Sequence, residues 1–340
     1  MMFQNLHSQD LFPNAAEKDI IFPPRIRLLV HSRAYTADVD VVIGSYNQAE
    51  ETNLVVQNYL AMETQARIHV WIVVMSHNPI EFMRINAGEQ VSKAFLLNFP
   101  KPLNSSFYPR FSSSIGAALS AQVGHTLGKA PHLFFSHTDM MATRKDFLSF
   151  LHSKLRADRP IAAFTQRHFI PFSGGILYRK SYFEGAAVDW LPSQHNPYNF
   201  VGKAALAPRV EQLQWIDAGE ELIYHTLQER GRVYVCASRG ASGDFFGHPV
   251  EHYDYLDDIT EAEYQQHLQS IDYAAIQTTR EAFAARYPHL TDQHNEMWRK
   301  SFDDSGRLMY IHRGRGTLGL AKTPARGDFT AFMRDRSHWE

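Results

Sequence analysis

The sequence predicts an α/β fold: a mostly parallel central sheet with helices on both faces, followed by a helical C-terminal extension. Two observations carry that expectation. The strongest apolar runs, VDVVI at residues 39–43 and RIHVWIVVM at 67–75, are continuous rather than alternating, which marks strands buried on both faces. Segments of helical periodicity separate such runs, and alternating strand and helix builds a covered sheet. Size agrees: the 340 residues are 44% hydrophobic and 21% charged, so a large core forms without disulfides or structural zinc.

The first 37 residues read as an extension, polar and broken by Pro13, Pro23 and Pro24, with one short apolar stretch at 26–30. A buried strand at 39–43 ends in Gly44-Ser45, and a helix over 49–62 places Leu54, Val55, Tyr59 and Met62 on one face. The run 67–75 is the second strand, closed by Ser76-His77-Asn78-Pro79, and 94–99 is a shorter third. Residues 112–127 carry Ile115, Leu119, Val123 and Leu127 at helical spacing, with Gly128 as a stop. A strand at 133–135 then enters Ser136-His137-Thr138-Asp139, and 147–155 forms another helix. Short strands follow at 161–164, 175–178 and 233–237, with a helix over 220–230. The chain beyond Glu261 reads as helical and polar through Lys300, and the tail from Arg307 is rich in Gly and Arg. The expected organisation is an extension at 1–37, an α/β core at 38–255, and helical and basic additions at 256–340.

Composition excludes several function classes. Thirty-four Lys and Arg against 36 Asp and Glu give a net charge of −2, whereas a nucleic-acid binder carries a basic excess. The single Cys236 rules out an internal disulfide framework and Cys-based zinc clusters. No apolar run reaches the ~18 residues of a spanning helix, and Gln4, Asn5, His7, Gln9 and Asp10 interrupt any signal-peptide stretch. The expectation is a cytoplasmic protein, with the inner face of a membrane as the alternative location. No Gly-x-Ser-x-Gly elbow of a serine hydrolase occurs, and no Gly-x-Gly-x-x-Gly follows a strand. The Gly314–Gly319 string lies at the wrong end of the chain for the phosphate loop of a sugar nucleotidyltransferase.

In open parallel sheets ligands gather beyond the carboxyl ends of the strands. Three strand ends are polar here: Ser45-Tyr46-Asn47, Ser76-His77-Asn78 and His137-Thr138-Asp139. Parallel strands put all three on one rim. Helix capping accounts for Asn47 and Asn78 better than for Tyr46 or His137.

The order of these elements resembles GT-A glycosyltransferases of the family 2 type. Residues 41–47, VVIGSYN, resemble the Val-Val-Ile-Pro-x-Tyr-Asn first strand. The helix 114–129 followed by LFFSHTDM resembles the helix, strand and Asp-x-Asp motif. Phe172-Ser173-Gly174-Gly175-Ile176 resembles the acceptor-side glycine segment, and residues 215–231 the Trp, Gly-Glu-Asp and Gly segment that carries the base. Three departures stand out: Gly44 replaces the proline, the second strand end lacks acidic residues, and His137 replaces the first aspartate of Asp-x-Asp.

The resemblance implies transfer of a sugar from a nucleotide-sugar donor to a glycan or lipid-linked hydroxyl. Ser45, Tyr46, Asn47, His77, Asn78, His137 and Thr138 are the implied donor contacts, and Gly174, Gly175 and Trp215 the acceptor contacts. Asp139 and His137, with His248 as third ligand and His252 its competitor, would hold a divalent metal. One carboxylate with imidazole suits Mn²⁺ better than Mg²⁺. The acceptor proton requires a carboxylate. Glu221 is preferred, then Glu220, then Asp217, because Asp217 and Glu220 also fit a capping box. Asn47, Asp139 and Glu221 are expected on one shared wet cleft. The tail arginines Arg313, Arg315, Arg326, Arg334 and Arg336, with Lys322, read as a diphosphate clamp, a peripheral membrane contact, or a solvated tail. The alternative function is a non-catalytic glycan-binding or assembly protein on the same fold that has lost the metal.

Overall fold

The computed structural model describes residues 1–97 except 64 and 77, 108–194 except 168 and 169, 216–239 except 230, 232 and 237, 253–255, 273–286, 298–313 except 304, and 330–334 except 332. The buried runs become strands β3 (Val39–Ser45), β4 (Ile68–Val74), β5 (Val91–Leu96) and β6 (His132–His137). They pair in parallel in the order β5-β4-β3-β6. Every residue of β4 is buried, as a strand covered on both faces must be.

Helices cover each face. On one side α4 (Tyr108–Leu127) and α6 (Glu220–Gln228) bury Ile115, Leu119, Val123, Leu222 and Ile223 against Val42, Trp71 and Phe135. On the other, α2 (Ala49–Leu60), α3 (Pro79–Arg84) and α5 (Phe147–Lys154) bury Val55, Tyr59, Phe82, Phe147 and Leu151 against Val41, Ile43 and Phe134. Each such side chain contributes roughly 1.5–3 kcal/mol. Gly124 of α4 permits a close helix–sheet approach: a Cβ there would stand 2.4 Å from Val42 Cγ1.

Two expectations are corrected. Residues 1–37 are not an appended extension: β1 (Met2–His7) and β2 (Arg25–His31) extend the sheet antiparallel beyond β5, and Leu11, Phe12, Ile20 and Phe22 enter the core. The reason lies in β2, where Ile26, Leu28 and Val30 face inward while Arg25 and Arg27 are exposed, the alternation of a half-covered antiparallel strand. Beyond β6 the sheet continues through β9 (Ile170–Arg179), β8 (Ile161–Arg167), β10 (Val233–Cys236) and β12 (Tyr253–Tyr255).

The second correction concerns the C-terminal region. Its helical reading holds for α7 (Tyr273–Arg286). It fails at β13 (Trp298–Phe302) and β14 (Leu308–Arg313), which form a hairpin. With β11 (Ser238–Arg239) and β7 (Met140–Ala142) they make a second, antiparallel four-stranded sheet. Buried Asp303 fixes the hairpin turn: it accepts from Arg307 N at 2.9 Å and pairs with Arg144 Nη1 at 2.6 Å. Among the described residues no helix is long and apolar enough to cross a membrane.

Candidate functional site

The three polar strand ends share the carboxyl rim of β3, β4 and β6, and side chains lace them together. Ser45 Oγ lies 2.7 Å from Thr52 Oγ1 of α2. Asn47 sits at φ +54°, a region that Asn tolerates better than most residues, and its Oδ1 accepts from Ser76 Oγ at 2.5 Å. Asn78 caps α3, its Oδ1 accepting from Ile80 N at 3.0 Å, with Pro79 opening the helix. Thr138 Oγ1 donates to Gln48 Oε1, tying the end of β6 to that of β3. Tyr46 packs against the core at this rim.

Asp139 follows β6 and precedes β7. Strand β14 pairs with β7 so that His312 lies opposite Met140, which brings its imidazole to Asp139. His312 Nε2 is 3.6 Å from Asp139 Oδ1 and His137 Nδ1 is 4.0 Å from the same oxygen. Ligand atoms of all three residues lie within 4.8 Å of one another. Ligand bonds of ~2.0–2.2 Å around one ion need about that spacing after a small contraction. Burial would raise the Asp139 pKa, but the adjoining His312 and His137 imidazoles and a His312 hydrogen bond more than offset it, so the carboxyl stays below its usual range. Burial lowers His137 to about 4, leaving it neutral and ready to ligate.

The sequence reading placed Asp139 in an open wet crevice. In the structure its side chain is 5% exposed, while His137 at 26% is the member that meets solvent. Strand β14 contributes to this, because it pairs with β7 and brings His312 to Asp139. Beneath the triad, Tyr59 Oη sits 2.7 Å from Ser136 Oγ, and Tyr310 Oη is 3.4 Å from that hydroxyl. Phe135 meets the His137 ring edge-on at 5.2 Å.

The three base candidates part company. Glu221 Oε2 accepts from Lys18 Nζ at 2.5 Å and from Asp189 N at 3.3 Å, and burial raises its pKa against the pull of Lys18. Glu220 Oε2 accepts from Asp217 N at 2.8 Å, the return arm of the capping box. Asp217 is partly exposed, and its carboxylate acts electrostatically on His137. All three carboxylates are engaged: Glu221 in the ion pair with Lys18, Glu220 in the cap, and Asp217 Oδ1 as acceptor from Ala218 N at 2.8 Å. Gly174 and Gly175 run along β9 toward the same rim from Ile176, which pairs with Phe135. His77, Trp215, His248 and His252 lie outside the described residues, as do Arg315, Lys322, Arg326 and Arg336. Of the tail arginines, Arg334 forms an ion pair with Glu50 of α2.

No protein-family model matches the chain, and no curated protein sequence matches it. Solved structures are similar over part of their length. A mannosyltransferase from Pyrobaculum calidifontis, in complex with GDP-Man and Mn²⁺, is 11% identical with a TM-score of 0.33, covering 45% of this chain and 47% of that one. An active-site mutant of LgtC is 11% identical with a TM-score of 0.40, covering 67% and 82%. TarS from S. aureus is 10% identical with a TM-score of 0.29, covering 45% and 30%. The chain thus spans about half the length of the mannosyltransferase.

Proposed function

We propose that the chain is a glycosyltransferase moving a sugar from a nucleotide-sugar donor to a hydroxyl of a glycan or lipid-linked acceptor. One observation carries the reading: His137, Asp139 and His312 converge at the carboxyl rim of a parallel strand, where phosphate ligands of open sheets bind. Two imidazoles and one carboxylate fit a divalent transition metal such as Mn²⁺, which when bound would neutralise charge developing on the donor diphosphate.

The chain's own residues do the rest. Ser45, Tyr46, Asn47, Asn78 and Thr138 are the proposed donor contacts, to which the sequence adds His77; Gly174 and Gly175 are the proposed acceptor contacts, to which it adds Trp215. Asp217 is the proposed base, taking the acceptor hydroxyl proton onto its carboxylate as the hydroxyl oxygen bonds to the anomeric carbon and that carbon's bond to the diphosphate oxygen breaks, releasing the nucleoside diphosphate. Glu220 holds the Asp217 backbone through its cap hydrogen bond, and Glu221 anchors the start of α6 through Lys18. Incubation with Mn²⁺ and a panel of UDP-, GDP- and ADP-sugars tests the reading. Release of nucleoside diphosphate is expected, and its abolition in Asp139→Asn. No release from any donor would count against it.

A second reading, a glycan-binding or assembly protein without catalysis, is favoured by the burial of Asp139 and the engagement of Glu220 and Glu221. Calorimetry separates the two: glycan binding with no nucleotide or metal binding supports the second.

A further inference from the structure

We infer that β1 is an interface strand: two copies of the chain pair through their free β1 edges, antiparallel about a two-fold axis at Gln4, to give one continuous sheet. The contact lies at the far edge of the sheet, where β2, β5 and β4 separate β1 from β3. It does not rest on the transferase reading.

An edge strand presents a row of unpaired N–H and C=O groups, and proteins that stay single blunt such edges with short strands, bulges, prolines or charges. The two edges of this sheet differ. At one end β12 is three residues long and carries Asp254. At the other, β1 runs for six residues, MFQNLH, with no proline, lysine or carboxylate. It pairs with β2 in unbroken register from Met2 opposite Val30 to His7 opposite Arg25. Among the described residues no strand pairs with its outer side. Met2 and Phe3 are 53% and 73% exposed and point to opposite faces, as successive strand residues do. An adjoining strand would shield both through cross-strand pairs.

A second copy is the occupant this strand fits. A two-fold axis perpendicular to the sheet sets like strands antiparallel and keeps each face on its own side, an isologous contact. Side chains of the same face then oppose one another. With Gln4 on the axis, Met2 stands beside the partner's Leu6 and Leu6 beside the partner's Met2. Both pairs lie on the face where Leu6 already packs against the core, since Met2, Gln4 and Leu6 oppose Val30, Leu28 and Ile26 of β2. On the other face Phe3 stands beside the partner's Asn5. The two Gln4 amides, each with donors and an acceptor, meet at the axis. A one-residue slip would oppose side chains of different faces, and a two-residue slip would leave Met2 without an apolar neighbour. No like charges meet, because β1 holds no Lys, Arg, Asp or Glu. A lipid surface fits less well, because hydrocarbon cannot satisfy an open sheet edge.

Light scattering on the size-fractionated full chain, over a concentration series, tests the pairing. The mass of two chains is expected at the upper end of the series. Gln4→Lys would set two ammonium groups together on the axis and should halve that mass, with circular dichroism and the thermal midpoint reporting an intact fold. Gln4→Cys reads the register. Under mild oxidation it should give a disulfide-linked dimer, whereas Asn5→Cys, set back from the axis on the other face, and the wild-type chain with its single Cys236 should not. A one-chain mass for the wild type at every concentration would overturn the inference and leave the edge to a strand of a different protein. A dimer that survives Gln4→Lys and gives no cross-link in Gln4→Cys would overturn it too. Should Gln4→Lys fail to fold, the cross-linking result decides alone.

Discussion

Lys18 Nζ lies 2.5 Å from a Glu221 carboxylate oxygen 203 positions along the chain, and 2.6 Å from Asp189 Oδ1. Its side chain is 8% exposed, and those of Asp189 and Glu221 are 0% and 9%. One cation thus compensates two nearly dry carboxylates and ties the N-terminal segment to the start of α6. Through the hydrogen bond from Gly219 N to Trp190 O at 3.1 Å, the same clamp reaches the backbone beside Asp217.

Lys18→Met should therefore destabilise the protein by about 3–5 kcal/mol at pH 7, the usual cost of stranding a buried charge. Urea unfolding measures it. The deficit should shrink toward the acid side: the folded Glu221 pKa is already raised, and losing Lys18 raises it further. A raised folded pKa means the native state holds the extra proton, so stability falls as pH rises through that range. A deficit that grew on acidification would refute the assignment.

Two histidines, the buried His69 and the half-buried His125, give an acid limb of the opposite sign. Burial lowers His69 and His125 to about 4; His69 Nε2 is 2.8 Å from Ser92 Oγ and His125 Nδ1 is 2.6 Å from Tyr178 Oη. Below pH 6.5 the unfolded chain takes up protons that the native state refuses, so stability is present above that pH and is lost as pH falls toward 4. Each site contributes a slope of at most about 1.4 kcal/mol per pH unit. Denaturant midpoints measured between pH 7 and 4 should fall, and His125→Gln should flatten the decline. An unchanged decline in that variant would show that His125 is not among its causes.

The glycine in α4 offers a prediction against propensity. Alanine in place of glycine inside a helix is ordinarily worth ~1 kcal/mol of stabilisation. At Gly124 the new Cβ would stand 2.4 and 2.5 Å from the Val42 methyl carbons, and β3 sits at the centre of the sheet with no room to yield. Overpacking of this kind costs about 1–3 kcal/mol. Gly124→Ala should lower the thermal midpoint, and Gly124→Ala with Val42→Ala should recover part of the loss.

These contacts also show where sequence reasoning stops. Strands β3, β4 and β6 were legible because burial on both faces demands continuous apolar runs, and their polar ends follow from parallel pairing. Asp139 and His137 were found on that basis. His312 was not, since it is one of 18 histidines and the strand that brings it to Asp139 pairs it with the distant Met140. The local signal was present: Asp303, Ser305 and Gly306 make a turn, and an apolar run at 308–311 precedes His312. The charged WRKSF segment hid the other half of the hairpin. The Lys18 clamp had no local signal at all, because an ion pair across 203 positions is decided by topology.

The proposed choice of base can be read kinetically. Glu221→Gln keeps a hydrogen-bonding side chain toward Lys18 and removes the charge that Lys18 compensates. Asp217→Asn keeps the size of the side chain but removes the carboxylate charge of the proposed base. A positioned general base contributes roughly 10²–10⁴-fold. Asp217→Asn should lower kcat by that range with KM for the donor little changed, while Glu221→Gln should lower it less than tenfold and chiefly reduce stability. The reverse pattern, with kcat lost in Glu221→Gln and kept in Asp217→Asn, would return the role to the residue that sequence had favoured. It would also require Lys18 to release that carboxylate during turnover.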